Sequence, residues 1–532
     1  MLRHAPAPDA RSRHPSCVGW WLLATLLLPP LIGHGADQAQ FGHAWSRNMA
    51  SSERALPARF DPRTGENMVW SARLGTETHS TPVIAGGRIL IGTNNGEPRD
   101  PKYSGDRGVL LCLNEADGAL IWQLVVPKRE EDIYFDWPKS GMSSTASVEG
   151  DRVYLVDNRG VVLCLDLHGL ANGNDGSFTN EPIYYAVQPT NTLNQGAPAA
   201  FHPDGRLKTD APTPNRIELG PQDADIVWMF DLSSGAGIWS HDAAHSSILI
   251  RGNHLYLNSG TGVDNTHKKI RRLDAPSLVV LDKRTGAYLA RDRDGIGPNI
   301  FHSTWAPPSS DGTNIYFAAG NGFVYAYEPL PPEVTPTTEP RTLRTLWSYD
   351  FDPATPKTEV HRYNQNRTEG PSNFYGAPVV HDGSLYIAGG GDIWWGRNDA
   401  SFHRLDLSST PPRLVWRQPL VRHTFATAAI ADGLAFVTDT SQNLHCFETA
   451  TGTPLWTHAL NGETWASPCA VDGKVYVGTR RGGFHVLAAT REKSVLYEAN
   501  LGAPISATPV AANGRLYVAT MTHLHAIAVP RP

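Results

Sequence analysis

Eight near-copies of one phrase run through the 532-residue chain, and a repeat of this kind constrains the fold more than any single residue does. The clearest copy runs from Trp465 to Tyr497, and another from Phe425 to Trp456. A strand of small residues leads to a turn, as at Asp432-Gly433, Asp472-Gly473 and Asn513-Gly514. A β-branched and aromatic run follows (KVYVGT, RLYVAT), then a third run (LHCFE, LLCLN), then a TG or DG turn that ends in Trp.

The second run of each copy begins near Ile89, Val153, Leu255, Ile315, Leu385, Leu434, Val475 and Leu516. The last three intervals are 49, 41 and 41 residues. The earlier intervals of 64, 102, 60 and 70 are the same unit with insertions. Four short strands in such a unit are the signature of a propeller blade. The fourth strand carries Trp122, Trp228, Trp347, Trp416 and Trp456, with Ala290 and Tyr497 in that place in two copies. The eighth copy stops at Val529 after three strands, and TGENMVWSARL, with Trp70 in the repeat position, supplies the fourth. A ring closed from the opposite terminus leaves no open sheet edge. The predicted fold is therefore all-β, an eight-bladed propeller of four-stranded blades in which residues 64–74 complete the last blade. Residues 64–532 form one domain, preceded by an extension at 36–63. Insertions fall at 96–107, 127–141, 167–224, 262–276, 328–344, 351–373 and 391–401. The repeat tryptophans, Trp70 included, read as packing anchors between blades.

Arg3, Arg11 and Arg13 precede an apolar run from Val18 to Ile32, followed by Gly33 and Gly35. This is the layout of a signal peptide over 1–35, and it implies export to a periplasmic or extracellular space. The alternative is a retained anchor, which would be the chain's one contact with a membrane. Net charge is −6, so nothing points to nucleic acid. Cys112, Cys164 and Cys446 hold one repeat position in different sheets, on the order of 10 Å apart and beyond disulfide reach. They read as small buried hydrophobes, whereas the pairing of Cys469 stays open.

The copies TGENMVW, DGALIW and TGTPLW resemble the quinoprotein-type repeat over nearly all of residues 41–529. The segments FDPRTGENMVWSARLG, DLHGLANGNDG and APSLVVLDKRTG also resemble exported PQQ-binding-like propellers. That resemblance implies one of two branches. One comprises quinone-dependent alcohol dehydrogenases, with PQQ and calcium as cofactors. The other comprises non-catalytic scaffolds such as the outer-membrane assembly propeller. The dehydrogenase branch usually carries adjacent cysteines, and many members add C-x-x-C-H; here no two cysteines are adjacent or three apart. The expected function is a binding or scaffold propeller for a protein partner or a small polar or carbohydrate ligand. The rivals are a PQQ-dependent dehydrogenase of alcohols or sugars, and a glycan-binding module.

Strand parity sorts the loops. Successive strands alternate direction, so the loop before strand one and the loop between strands two and three share a face. Five insertions (96–107, 127–141, 262–276, 351–373 and 391–401) fall there, and long loops on a rigid scaffold commonly carry function. Their contents suit a polar ligand between aromatic walls: Arg107, Trp137, Lys139, His267, Tyr363, Arg367, Trp394, Trp395 and Arg397. Counting seven residues back from each turn places His79, Ser143, His245, Tyr375, Phe425, Trp465 and Ser506 around the channel mouth; in the fourth blade, whose turn is longer, Thr304 or Trp305 fits, with His302 just upstream. Histidines there suit a metal or acid/base work. His241 and His245 have zinc-pair spacing, but they sit at a loop–strand junction where i and i+4 do not share a face. On the opposite face, the 167–224 insertion offers Asn172, Asn174 and Asp175 as oxygen ligands for calcium, though without EF-hand spacing.

Overall fold

The computed structural model describes residues 36–129, 132–188, 200–210, 213–243 and 245–530. The expected signal segment over 1–35, Cys17 included, lies outside them. Strands Val83–Ala85, Arg88–Asn94, Arg107–Asn114 and Leu120–Pro127 pair in chain order as blade 1. Six further blades follow, at 147–231, 249–291, 309–350, 379–420, 429–459 and 469–500. Blade 8 takes three strands from the C-terminal end, Val510–Ala512, Arg515–Ala519 and His523–Ile527. Met68–Arg73 completes it, antiparallel to His523–Ile527, with Trp70 opposite Ala526. The chain is thus an eight-bladed propeller closed by an N-terminal strand.

The inner hairpins form where the repeat predicts them. At Asp432-Gly433, Asp472-Gly473 and Asn513-Gly514 both residues have positive φ, the conformation of a type I′ turn. The second and third strands are buried on both sides, as in Leu434–Asp439 and Val161–Asp166. Each blade is covered by its two neighbours, so these strands read as near-continuous apolar runs. Cys112, Cys164, Cys446 and Cys469 are all free and buried.

The repeated Gly and Trp form a lock between blades. Gly118, Gly169, Gly286 and Gly452 all have positive φ and lie against the indole rings of Trp70, Trp122, Trp228 and Trp416, each from the preceding blade. A Cβ on any of them would come within 2.5–2.8 Å of the ring. The indole N–H groups of Trp70, Trp122, Trp228, Trp416 and Trp456 donate to carbonyls in the next blade's turn, at Glu115, Leu167, Lys283, Thr449 and Thr490. Trp347 packs on Tyr316 of its own blade at 5.8 Å, as Trp70, Trp228 and Trp416 pack on Tyr517, Tyr154 and Tyr386. The TG…W phrase is one interblade joint written repeatedly.

The extension before residue 64 has a role that its sequence does not announce. Residues 38–51 run around the channel and touch the innermost strand of every blade in turn. Ile84 N–H donates to Gln38 O and Val148 N–H to Ala39 O. Trp45 Nε1 donates to Ile250 O, and Ser310 and Val380 donate to Trp45 and Ser46 carbonyls. Asn48 exchanges hydrogen bonds with Ile430, Ala50 pairs in parallel with Ala470, and Ser51 reaches Ala511. Arg47 lies fully buried at the centre, donating to Pro308 O and Phe41 O. The contacted positions lie just before the inner turns, so this belt occupies the channel at the end opposite the long loops.

Two insertions leave from that opposite end and then run along the rim. Asp223 bridges Gln123 in the outer strand of blade 1, and its carboxylate accepts from Tyr103 and Lys102 in the 96–107 loop. Arg341–Thr342 adds a parallel strand outside Tyr288–Arg291 of blade 3. The 167–224 insertion therefore extends beyond the opposite face, because the blade edges offer unpaired backbone groups that it satisfies.

Candidate metal centre

On the long-loop face, three segments that enter or interrupt blades 3 and 4 are stitched together by isolated bridges. Ser240 pairs with Thr261, Gly262 with Ser303, and Val263 with Ile270. Val263 N–H also donates to His302 O at 2.8 Å. Gly262 is required by the closeness of this weave: a Cβ there would sit 2.5 Å from His302 O and 2.9 Å from His241 Cβ. The result brings His241, His267 and His302 together, with ring centroids 4.7 to 5.1 Å apart. All three rings are buried.

One ligand atom from each histidine and one from Asp242 fall within 4.8 Å of one another. His241 Nε2 and His267 Nε2 are 3.0 Å apart. His302 Nε2 lies 3.1 Å from Asp242 Oδ2 but out of line for a hydrogen bond, which leaves a buried nitrogen aimed into the cluster without a directed partner. On its other side, His302 Nδ1 is 2.9 Å from Asp392 Oδ2. Asp392 is fully buried and over-determined: it also accepts from Tyr375 O–H, Asn373 Nδ2 and the backbone N–H groups of Trp394 and Trp395. A histidine oriented by a carboxylate on one nitrogen is the usual arrangement behind a metal ligand, and a metal at His302 Nε2 would displace the proton held there.

The electrostatics divide the histidines. Burial drives His241 down to about 3, and burial with the neighbouring His302 charge lowers His267 too. Both are neutral imidazoles, the ligating form. Burial alone would lower His302, but Asp392 and Asp242 reverse this and lift it to about 9. Asp392 stays ionised in spite of burial, held at about 2 by the His302 charge and its own hydrogen bonds.

Aromatic rings wall the centre. Tyr134 stacks on His241 at 5.2 Å, and Trp395 stacks on His267 at 4.5 Å. Trp137, 38% exposed, donates its indole N–H to Asp242 Oδ1. From His302 an arc continues through Trp305, Tyr375, Phe425 and Trp465 to His79, with neighbouring centroids 4.8 to 5.8 Å apart. Trp394, 39% exposed, leans over its start, within 6.2 Å of His302, Trp305, Tyr375 and Phe425. Asn364 clasps His267 O and Arg367 clasps three carbonyls of the 391–401 loop, so the insertions also fasten each other.

Of the residues singled out in the sequence, His267, His302, Trp305, Trp137, Trp394 and Trp395 meet at this centre. His79 and Trp465 stand at the far end of the arc, where the Arg480 guanidinium lies 3.9 Å from the Trp465 ring. His245 is buried against Phe135, away from the cluster, and burial lowers it to about 4. Arg107 spends its guanidinium on Ser104 and Tyr185 carbonyls, and Arg397 on Asp352, Ser372 and Asp399. The Lys139 side chain is exposed, and its backbone bonds Asp106 and Asn94. Asn172 and Asn174 turn their amide nitrogens to Asp166 and Glu181, and Asp175 bonds Asp225 through its backbone. Those three make no converging set of oxygen ligands.

Asp242, Asp392 and the metal-facing role of His241 escape a reading based on spacing alone. Asp242 and Ala243 both take left-handed φ, which breaks any regular periodicity around His241. The available signal is the run GGGDIWWGRND at 389–399, where a carboxylate stands beside two tryptophans.

Fold and centre together define an eight-bladed β-propeller with a histidine-rich cluster at its loop-bearing mouth. A family model described as "Outer membrane protein assembly factor BamB" matches residues 51–171 and 406–493. Among solved structures, the chain is similar to BamB from Moraxella catarrhalis, with 12% identity, a TM-score of 0.51, and coverage of 87% of this chain and 98% of that one. It is also similar to a europium-containing methanol dehydrogenase, with 11% identity, a TM-score of 0.54, and coverage of 93% and 98%. Both similarities speak for the fold. No curated protein matches the sequence.

Proposed function

We propose that this chain is an exported binding propeller that anchors a polar ligand or partner on its loop-bearing face through a divalent transition metal. The observation that carries the reading is the convergence of His241, His267, His302 and Asp242 onto one buried point. Three imidazole nitrogens and one carboxylate suit zinc or a similar borderline ion. Calcium prefers an oxygen cage, so this donor set does not fit the calcium of the quinone-dependent branch. The aromatic arc beside the centre would hold the apolar face of the ligand. The belt at 38–51 leaves the loop-bearing mouth as the approach, and the N-terminal layout of the sequence supports export.

Zinc titration followed by tryptophan emission reports this centre directly, because Trp395 stacks on His267. Saturation is expected to change the emission of the unaltered protein and to leave that of a folded His267→Gln variant largely unmoved. An identical response in His267→Gln would overturn the reading.

A further inference from the structure

One repeat position holds a histidine in four consecutive blades: His403, His445, His485 and His525, all in third strands. Each faces a residue of its own blade's fourth strand: Arg417, Thr457, Glu498 and Ser71. In three blades the imidazole is served by ordinary partners. His403 meets Tyr349 O–H and Ser401, His445 meets Asp439 and Thr457, and His525 meets Ser71.

Blade 7 differs. His485 Nε2 is 2.8 Å from Leu460 O, which cannot donate, so this nitrogen carries the proton. In the neutral ring Nδ1 is then a lone pair. It lies 3.1 Å from Glu498 Oε1, another acceptor, and 3.3 Å from His458 Nε2. The third side of the triangle, His458 Nε2 to Glu498 Oε1, is 3.3 Å. A tetrahedral ion with bonds of about 2.0–2.1 Å holds its ligand atoms about 3.3 Å apart. The triangle in the protein therefore has nearly the edge lengths of one face of such a coordination sphere. One proton on His458 could bridge only part of it.

We propose that His458, His485 and Glu498 form a second site for one divalent transition ion of the zinc class, clamping the outer strand of blade 6 to blade 7. Both histidines are buried, whereas the Glu498 side chain is 46% exposed. The fourth coordination position therefore opens to solvent and takes water or a small anionic ligand. Lys493, the nearby cation, is engaged with Thr457 O on the rim. This site shares no residue with the cluster at the channel mouth and stands independently of it.

Cobalt titration of the full-length chain tests the site, read by metal stoichiometry and by the visible absorbance of nitrogen- and oxygen-ligated Co²⁺. With the mouth centre removed by His241→Asn and His267→Asn, one equivalent is expected to remain. Glu498→Gln or His458→Gln in that background is expected to weaken it by more than the roughly 10–100-fold that loss of an outer-shell partner costs. If the double variant does not fold, Glu498→Gln alone, at a half-exposed position, is expected to lower the unaltered protein's stoichiometry by one equivalent. Retention of full stoichiometry and affinity in Glu498→Gln and His458→Gln overturns the proposal. So does the lack of any tight equivalent once the mouth centre is removed, with the triangle then a proton-sharing cluster.

Discussion

Asp392→Ala is expected to destabilise the metal-free protein by about 3–5 kcal/mol, the range for removing one partner of a buried ion pair. The substitution leaves the buried His302 ring beside a void and strips an acceptor from Tyr375, Asn373 and two backbone N–H groups. The Tyr375 and Asn373 donors are buried, and a buried donor without a partner carries its full desolvation cost. The loop that bears Trp394 and Trp395 should loosen with it, because Asp392 Oδ1 fixes their backbone. Asp392→Asn retains a carbonyl oxygen for those two N–H groups and loses the charge, so a smaller loss is expected. Urea denaturation of metal-free protein measures both. An unchanged midpoint for Asp392→Ala would mean that the carboxylate does not organise the mouth.

Trp122→Ala is expected to cost about 3–5 kcal/mol, the range for truncating a fully buried large aromatic. Its indole is 0% exposed, rests on Gly169 and donates to Leu167 O in blade 2. Trp456 makes the same joint between blades 6 and 7 but is only half-buried. Trp456→Ala should therefore shift the denaturation midpoint clearly less. Equal losses at the two positions would contradict the view that burial, and not the shared hydrogen bond, sets the strength of the lock.

The blade count and the ring closure are legible in the sequence because both rest on local chemistry that recurs. Asp-Gly and Asn-Gly turns fix the inner hairpins, and the Gly…Trp spacing fixes the joint between blades. The loop-bearing face is legible too, since strand parity alone assigns the insertions. Individual ligands are harder to read. His302 and Trp305 emerge from counting back along the repeat, yet His245 by the same count packs on Phe135, because the left-handed turn at Asp242 and Ala243 presents His241 to the cluster instead. Arg107 and Arg397 look like ligand groups in the sequence and serve as struts in the fold, a distinction set by contacts far away in the chain. The belt at 38–51 is invisible for a related reason. It matches no repeat, and its partners are spread over residues 84 to 511.

The most direct test is anomalous scattering at the zinc edge from crystals grown with zinc. A strong peak at the channel mouth, about 2.0–2.1 Å from the Nε2 atoms of His241, His267 and His302, is the expected result. Zinc density that avoids these three histidines at saturating metal would contradict it.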